Sequence, residues 1–294
     1  MTKRGAAAWI LAGPALLVIA VFFALPVVAG LALSLTDFDL YALADLSTLR
    51  FVGLHNYAHL LHTPLFWQAL GNTLYFVVVG VPVSIGLSLG AALLLHSRFA
   101  RWQSFFRTSL FAPVVTTAVA VAVIWRYLLH TRYGLINQGL EAIGLAPVDW
   151  LGDPHWSMPA IIAFAAWKNF GYNMIILLAA LQAVPRELYE AARMDGAGAL
   201  RRFTDVTMPM LVPTFVLVGI LTVSGYFQLF AEPYVMTQGG PLRSTFSMLY
   251  LMYEEGFRWW NLGNASAVAF LLFLVIFCVS WVMLRFDRDA PGRR

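Results

Sequence analysis

Charge is scarce in this chain of 294 residues: Asp, Glu, Lys and Arg make up 12%, and hydrophobic residues 60%. Soluble domains carry about 25% charged residues, so the composition excludes an ordinary soluble domain and indicates a membrane protein. Cysteine occurs once, as Cys278 within an apolar run, which excludes a disulfide framework and leaves a small buried hydrophobe as the expectation. Lysine occurs twice, as Lys3 and Lys168, and neither follows a glycine. The Gly-Lys-Ser/Thr core of a nucleotide-binding phosphate loop is therefore absent. His-Glu-x-x-His and paired zinc cysteines are missing as well. His55, His59 and His62 have helical spacing, but a solvated or packed loop helix accounts for them, and no metal site and no catalytic residue is expected. A net charge of +4 calls for no nucleic acid, because basic residues that follow membrane topology produce it. Uphill movement of anything by this chain needs energy from another subunit or an ion gradient.

What the chain has is long apolar runs. A helix needs about 20 apolar residues to span a bilayer. Six stretches qualify, 8–33, 70–95, 108–128, 157–181, 210–231 and 265–284, with Arg126 and Lys168 the only charges inside them. The first is too long for the roughly 7–15 residues of a signal peptide core and reads as a retained helix. Pro14, Pro26, Pro82, Pro113 and Pro213 fall within spans, where neighbouring groups satisfy the freed carbonyls. With the N-terminus inside, thirteen Lys and Arg fall on inner segments and four on outer loops, Arg50, Arg132, Arg243 and Arg258. The inner set includes Arg98, Arg101, Arg293 and Arg294. The bias predicts cytoplasmic termini. The expected organisation is an N-terminal helix and outer loop over 1–68, a core of five helices over 69–285 and a tail over 286–294.

Between the fourth and fifth runs lies a polar island over 185–209 with eight charged residues, four of them Arg. Two short helical patterns, 188–192 and 200–203, flank Asp195-Gly196-Ala197-Gly198, where Gly196 permits a turn that a Cβ would disfavour. The same charge bias puts this helix–turn–helix in the cytoplasm.

Glu190-Ala191-Ala192-x-x-Asp195-Gly196-Ala197, then Phe203, Val206 and Met208-Pro209, resembles the EAA loop of permease subunits in binding-protein-dependent ABC importers. The segments 51–57, 133–137, 150–154 and 237–241 resemble motifs of the sugar-importer branch, and the likeness covers roughly residues 10–285. The resemblance implies an all-α integral membrane protein with the six-helix type I ABC importer permease fold, in the cytoplasmic (inner) membrane of a bacterium. It implies a carrier of a sugar or related polyol, not an enzyme. Its implied partners are a second similar permease, two copies of a cytoplasmic ABC ATPase, an extracytoplasmic solute-binding protein and membrane lipid. No cofactor is implied in this chain, ATP and Mg being held by the ATPase. Coupling to that ATPase is implied for Glu187, Glu190, Ala191, Ala192, Asp195, Gly196, Ala197, Phe203 and Pro209.

A solute path needs polar groups turned into the bundle. Ser224, Gln228 and Glu232 recur at i, i+4, i+8, with Tyr226 nearby, and Trp167, Phe170, Gly171 and Met174 share a face of the fourth run. By the resemblance, Trp167, Phe170, Gly171, Met174, Tyr226 and Leu229 lie where related permeases hold sugar. The same residues also suit helix packing, with Gln228 as interhelical glue. Lys168 lies about 16 Å below its span end at 1.5 Å per residue, so it must find a partner or water, with Glu232 a distant candidate. Two other classes remain for comparison. A membrane enzyme needs an acid/base or metal cluster at an interface, and none has that spacing. A secondary transporter needs a mid-membrane carboxylate, and Glu232 sits at a span edge.

Overall fold

A computed structural model describes residues 3–45, 47, 49–96 and 102–288. Arg98, Arg101, Arg293 and Arg294 of the charge count lie outside the described residues. Among the described residues the regular secondary structure is helical, apart from one isolated bridge between Thr36 and Phe51. It divides into two compact units, residues 1–66 with 251–273, and residues 67–250 with 274–294.

In the first unit, α1 (Lys3–Ile19) passes through a π-helical turn at Ala20–Ala24 into α2 (Leu25–Ser34). The widened turn lets the helix continue past Pro26, which sits in the first turn of α2 where its missing N–H is tolerated. Leu11–Ser34 is long and apolar enough to cross a membrane, and its apolar window is not buried within the chain. α3 (Leu40–Ala44) starts on Asp39, whose carboxylate accepts from the Tyr41 and Ala42 amides at 2.9 and 3.0 Å. α4 (His55–His62) carries the three histidines. Its Asn56 donates to the Ser34 and Thr36 carbonyls at 2.9 and 2.8 Å, closing the end of α2. The Arg50 amide and guanidinium hold the Asp37 carboxyl below its usual range. Burial pushes the Glu255 carboxyl up, opposed by a hydrogen bond from Asn264.

In the second unit, α5 (Pro64–His96) contributes from Trp67 onward and leads to α6 (Gln103–Val115) and α7 (Ala118–Leu128). These two lie at 99° across Thr116 and Thr117. The expected span over 108–128 is thus a bent helix pair rather than one continuous helix. Pro113 withholds a backbone donor, and the β-branched run Val114-Val115-Thr116-Thr117 favours the extended backbone found at both threonines. The Thr116 hydroxyl then caps the Pro113 carbonyl at 2.6 Å.

The segment after α7 is built on α8 (Leu135–Ala142) and its buried Asn137. The Asn137 amide donates to the Thr131 and Val148 carbonyls, and its Oδ1 accepts from the Val148 amide and the Trp150 indole, at 2.8–3.1 Å. Replacing it by Ala leaves several buried groups unpaired, each worth about 1–3 kcal/mol. We expect Asn137→Ala to lower the melting temperature of the purified protein and expose Trp150, which fluorescence reads directly.

α9 (Pro154–Ala183) is the most buried span, opened by Pro154 and capped by Asp153, whose carboxylate accepts from the His155 amide at 2.8 Å. Met174, Leu177, Leu178 and Leu181 form the core of this unit with Ala92 and Leu95 of α5. Gly171 lets α6 approach closely, since a Cβ there would strike the Leu110 carbonyl and lie 3.1 Å from Phe111 Cα. After α10 (Arg186–Met194) and α11 (Ala199–Arg202), a π-helical turn at Phe203–Thr207 leads into α12 (Met208–Phe227), which adds Leu211 and Val218 to the core. α12 ends with Gln228 as its cap, and α13 (Ala231–Met236) restarts only after a non-helical Phe230, φ −146° and ψ −56°. The expectation of Ser224, Gln228 and Glu232 on one continuous helical face is therefore corrected. α14 (Met248–Tyr253) precedes α15 (Leu262–Arg288), the last span. Cys278 on α15 is exposed, correcting the buried hydrophobe expected there. An apolar side chain on a spanning helix is equally suited to a lipid-facing position.

Candidate functional site

The polar island forms a compact helical hairpin. α10 places Glu187 in its first turn and Arg193 in its last, each complementing the helix dipole. It closes at a left-handed Gly196, φ 76°. The Gly196 amide donates to the Arg193 carbonyl at 3.0 Å and the Ala197 amide to Ala192 at 2.9 Å, the paired bonds of a Schellman turn. Gly198 then caps α11, its carbonyl accepting from the Arg202 amide. The Tyr189 hydroxyl meets Thr207 Oγ1 at 2.9 Å and braces the hairpin against the start of α12.

Glu187, Glu190, Ala191, Asp195, Gly196 and Pro209 are exposed, and Ala192, Ala197 and Phe203 are half-buried. Leu188, Met194 and Leu200 are also exposed, at 41%, 84% and 77%. A charged hairpin that presents three large apolar side chains to the surroundings has the composition of a docking surface. The Tyr189–Thr207 brace was not legible beforehand, because nothing local pairs residues 18 apart.

The second feature is a cavity of about 400 Å³ lined mainly by α9, α12 and the start of α13, with Phe76 of α5 and Val114 and Ala118 at the α6–α7 bend. From α9 it takes Lys168, Asn169, Tyr172 and Asn173, and from beyond α12's middle Tyr226, Gln228, Leu229 and Glu232. Tyr226, Gln228 and Leu229 of the expected path are thus brought together, and Ser224 is not among the lining residues. Trp167 and Phe170 line a different groove, an apolar one of about 1070 Å³ beside Gly86 and Gly90 of α5. Gly171 faces α6 and Met174 the core. The residues of α9 chosen from the sequence therefore do not share one face toward the cavity. The helix turns its adjacent strip, Lys168 to Asn173, there instead. Aromatic and small residues at i, i+3, i+4, i+7 carry the same pattern whether they face a cavity or a neighbouring helix.

Lys168 is buried, 8% exposed, and donates to the Thr116 carbonyl at 3.0 Å and the Pro113 carbonyl at 3.4 Å. The bend between α6 and α7 frees the Thr116 oxygen, and an ammonium at a helix C-terminus is favoured by its dipole. The partner sought for Lys168 is thus a broken helix end. Tyr226 stacks on Phe76 with ring centroids 4.8 Å apart. Gly80 makes room for its ring, since a Cβ there would lie 2.7 Å away. The Tyr226 hydroxyl is buried without a hydrogen-bond partner, as is Ser84 Oγ. A buried hydroxyl left unpaired beside a cavity is available to a ligand. Asn173 donates to Thr222 Oγ1 at 2.8 Å, tying α9 to α12.

Gly86-Leu87-Ser88-Leu89-Gly90 matches the spacing of a hydrolase nucleophile elbow. Ser88 nevertheless lies inside the continuous α5, fully buried, donating to the Ser84 and Phe170 carbonyls. The elbow requires an exposed serine on a strand-to-helix turn, and this is a packing serine.

Residues 83–290 match the family described as binding-protein-dependent transport system inner membrane component. The lactose transport system permease protein LacF of Rhizobium radiobacter is 36% identical over 286 residues, 96% of this chain and 94% of that protein. The sulfoquinovosyl glycerol transport system permease protein SmoG of Agrobacterium fabrum is 33% identical over 280 residues, 95% and 89% of the two chains. In fold the chain is similar to a chain of a bacterial ABC transporter involved in the import of the acidic polysaccharide alginate. The TM-score is 0.81 at 22% identity, covering 99% of this chain and 98% of that one. An all-helical bundle of apolar spans, a braced hairpin between two of them and this breadth of similarity agree: the chain belongs to the family of inner membrane components of binding-protein-dependent transport systems.

Proposed function

We propose that this chain is the permease subunit of an ATP-driven importer of a carbohydrate or related polyol, with the α10–α11 hairpin as its contact with the ATPase. The observation that carries the reading is the hairpin itself. Its Schellman turn, exposed apolar residues and EAA pattern sit between two membrane spans. Relatives named for lactose, sulfoquinovosyl glycerol and arabinooligosaccharides support the carbohydrate class. Both termini and the hairpin face the cytoplasm in this reading, as the Lys and Arg bias requires.

The chain works with a second permease, two ATPase subunits that hold ATP and Mg, and an extracytoplasmic solute-binding protein. It performs no bond chemistry of its own. ATP-driven closure of the ATPase dimer draws the two permeases' hairpins together and biases the bundle outward, and hydrolysis resets it. Such coupling requires the hairpin to bind the ATPase differently in the two states, because only differential affinity shifts an equilibrium. The polar cavity beside Lys168 and Tyr226 is the solute's route, and residues 69–285 form the working core.

Glu190→Arg tests the contact. Glu190 is exposed on α10, so reversal of its charge leaves the chain's packing intact while opposing a cationic partner. We expect the variant to insert and assemble at wild-type level with uptake reduced at least about tenfold, a change of about 1.4 kcal/mol or more in coupling. Wild-type uptake by an assembled Glu190→Arg complex would remove the hairpin from the mechanism.

A further inference from the structure

Where the apolar runs 70–95 and 157–181 end, the chain leaves a groove of about 840 Å³ between the bundle and α10. Leu93 and His96 line it at the end of α5, and Leu181 and Val184 at the end of α9. Leu181 and Val184 are buried and Leu93 packs against the core, so this part of the lining is apolar. The opposite wall is α10, which places Arg186, Glu190 and Arg193 along the groove. They stand at i, i+4 and i+7 on one helical face, about 10 Å from first to last at 1.5 Å per residue. The ion pairs among the described residues, Arg50–Asp37, His155–Asp153, Arg201–Asp205 and Arg258–Glu254, include none of the three. Tyr189 and Thr207 also line the groove, but their hydroxyls meet each other at 2.9 Å. What the groove offers a ligand is therefore an apolar floor and a cation, an anion and a cation in a row.

We propose that this groove seats one phospholipid with an amine headgroup, phosphatidylethanolamine, its phosphate on Arg186 and Arg193 and its ammonium on Glu190. Seating a lipid there requires only that α5 and α9 span the membrane, so it stands apart from the importer reading. The depth fits, because headgroups lie where apolar runs stop, and the groove begins at the last residues of two such runs. Basic pockets at the ends of spanning helices are suited to lipid headgroups. Arginine takes phosphate through paired charge-assisted bonds, and a primary ammonium donates to a carboxylate in the same way. The other occupants match less of the lining. Free phosphate leaves Glu190 and the apolar floor unmatched. Phosphatidylglycerol sets a net negative headgroup against Glu190, a like-charge contact that disfavours it. Phosphatidylcholine has no N–H to give the carboxylate. A lipid seated there bridges α10 to the ends of α5 and α9, a second brace beside the Tyr189–Thr207 contact.

The test uses the complex purified with its partner permease and ATPase subunits, in nanodiscs of equal parts phosphatidylethanolamine, phosphatidylglycerol and phosphatidylcholine. Native mass spectrometry reads which lipid stays bound to this chain. The expected result is phosphatidylethanolamine retained about tenfold over each of the others, with Arg186→Gln and Arg193→Gln together lowering that retention about tenfold. Glu190→Gln is expected to raise phosphatidylglycerol to the level of phosphatidylethanolamine. Arg285→Gln, a basic residue on α15 that does not line the groove, is expected to keep the wild-type order. Phosphatidylglycerol held most tightly by the wild type would mark a plain cationic patch and overturn the proposal. Unchanged retention in the double arginine variant would do the same. Displacement of the lipid by added inorganic phosphate would assign the arginines to a free anion, and loss of the ATPase with the lipid retained would assign them to that subunit. Either overturns the lipid site. The importer reading survives all of these, since Glu190→Arg tests it through uptake. Should the double variant fail to assemble, the wild-type order and the single arginine variants decide.

Discussion

We expect Gly196→Pro to abolish solute uptake while the chain still reaches the membrane. Gly196 holds φ at 76°, and its amide donates to the Arg193 carbonyl. Proline locks φ near −65° and has no amide hydrogen, so it removes the left-handed turn and one of its two closing bonds, at a cost of about 3 kcal/mol or more. The damage stays local. A Cβ at Gly196 meets nothing within 4 Å, and the core of Met174, Leu177, Leu211 and Val218 lies elsewhere. The hairpin therefore loses its shape while the spans keep theirs. Gly196→Ala retains the amide and suffers only the strain of positive φ, about 1 kcal/mol, so its uptake falls between wild type and Gly196→Pro. Uptake of a labelled solute, membrane level by immunoblot and co-purification with the ATPase separate these outcomes. Unimpaired uptake by an assembled Gly196→Pro complex would show that the turn has no part in coupling.

Lys168→Met is expected to have the second large effect, on stability before transport. A charge within a span costs about 2.5–3.5 kcal/mol on insertion scales, and here it is retained because the bent α6–α7 pair supplies two carbonyl acceptors. Methionine fills the volume but returns the Thr116 oxygen to the orphaned state, at about 1–3 kcal/mol, while Pro113 keeps the Thr116 hydroxyl. It also leaves Glu232 facing the cavity with no cation on its lining. We expect a clear drop in melting temperature of the purified complex, with labels on α6 and α7 reporting a changed bend. Lys168→Met combined with Glu232→Gln should recover part of the loss, because removing the second charge relieves what the first left uncompensated. A single variant as stable as wild type would refute the clamp.

The parts of this molecule that depend on neighbours along the chain were legible in its sequence. Span positions follow from apolar run length, because a bilayer rewards about 20 such residues wherever they occur. The hairpin follows from short-range signals: acidic Glu187 at a helix start, Arg193 at its end, and Asp195-Gly196 where a left-handed residue closes it. The one nucleophile-like spacing, Gly86 to Gly90, misleads for the same reason, since its meaning depends on a turn and α5 does not turn there.

What required the tertiary structure is the direction of side chains and the breaks in helices. Run length is blind to a 99° bend, because Pro113 and the threonines after it are tolerated in straight and bent spans alike. The bend is stabilised by Lys168, 52 residues away from Thr116. On α9, Trp167 and Phe170 were separated from Lys168, Asn169 and Tyr172 only by which neighbours each strip of the helix meets, α5 and the body of α6 on one side, the α6–α7 bend with α12 and α13 on the other. Composition and spacing gave a membrane-spanning chain with a charged helical hairpin, whose motif resembles the EAA loop, because those are local or additive properties. The polar cavity and the cation clamp belong to packing alone, because they are made of groups that meet only after the helices have come together.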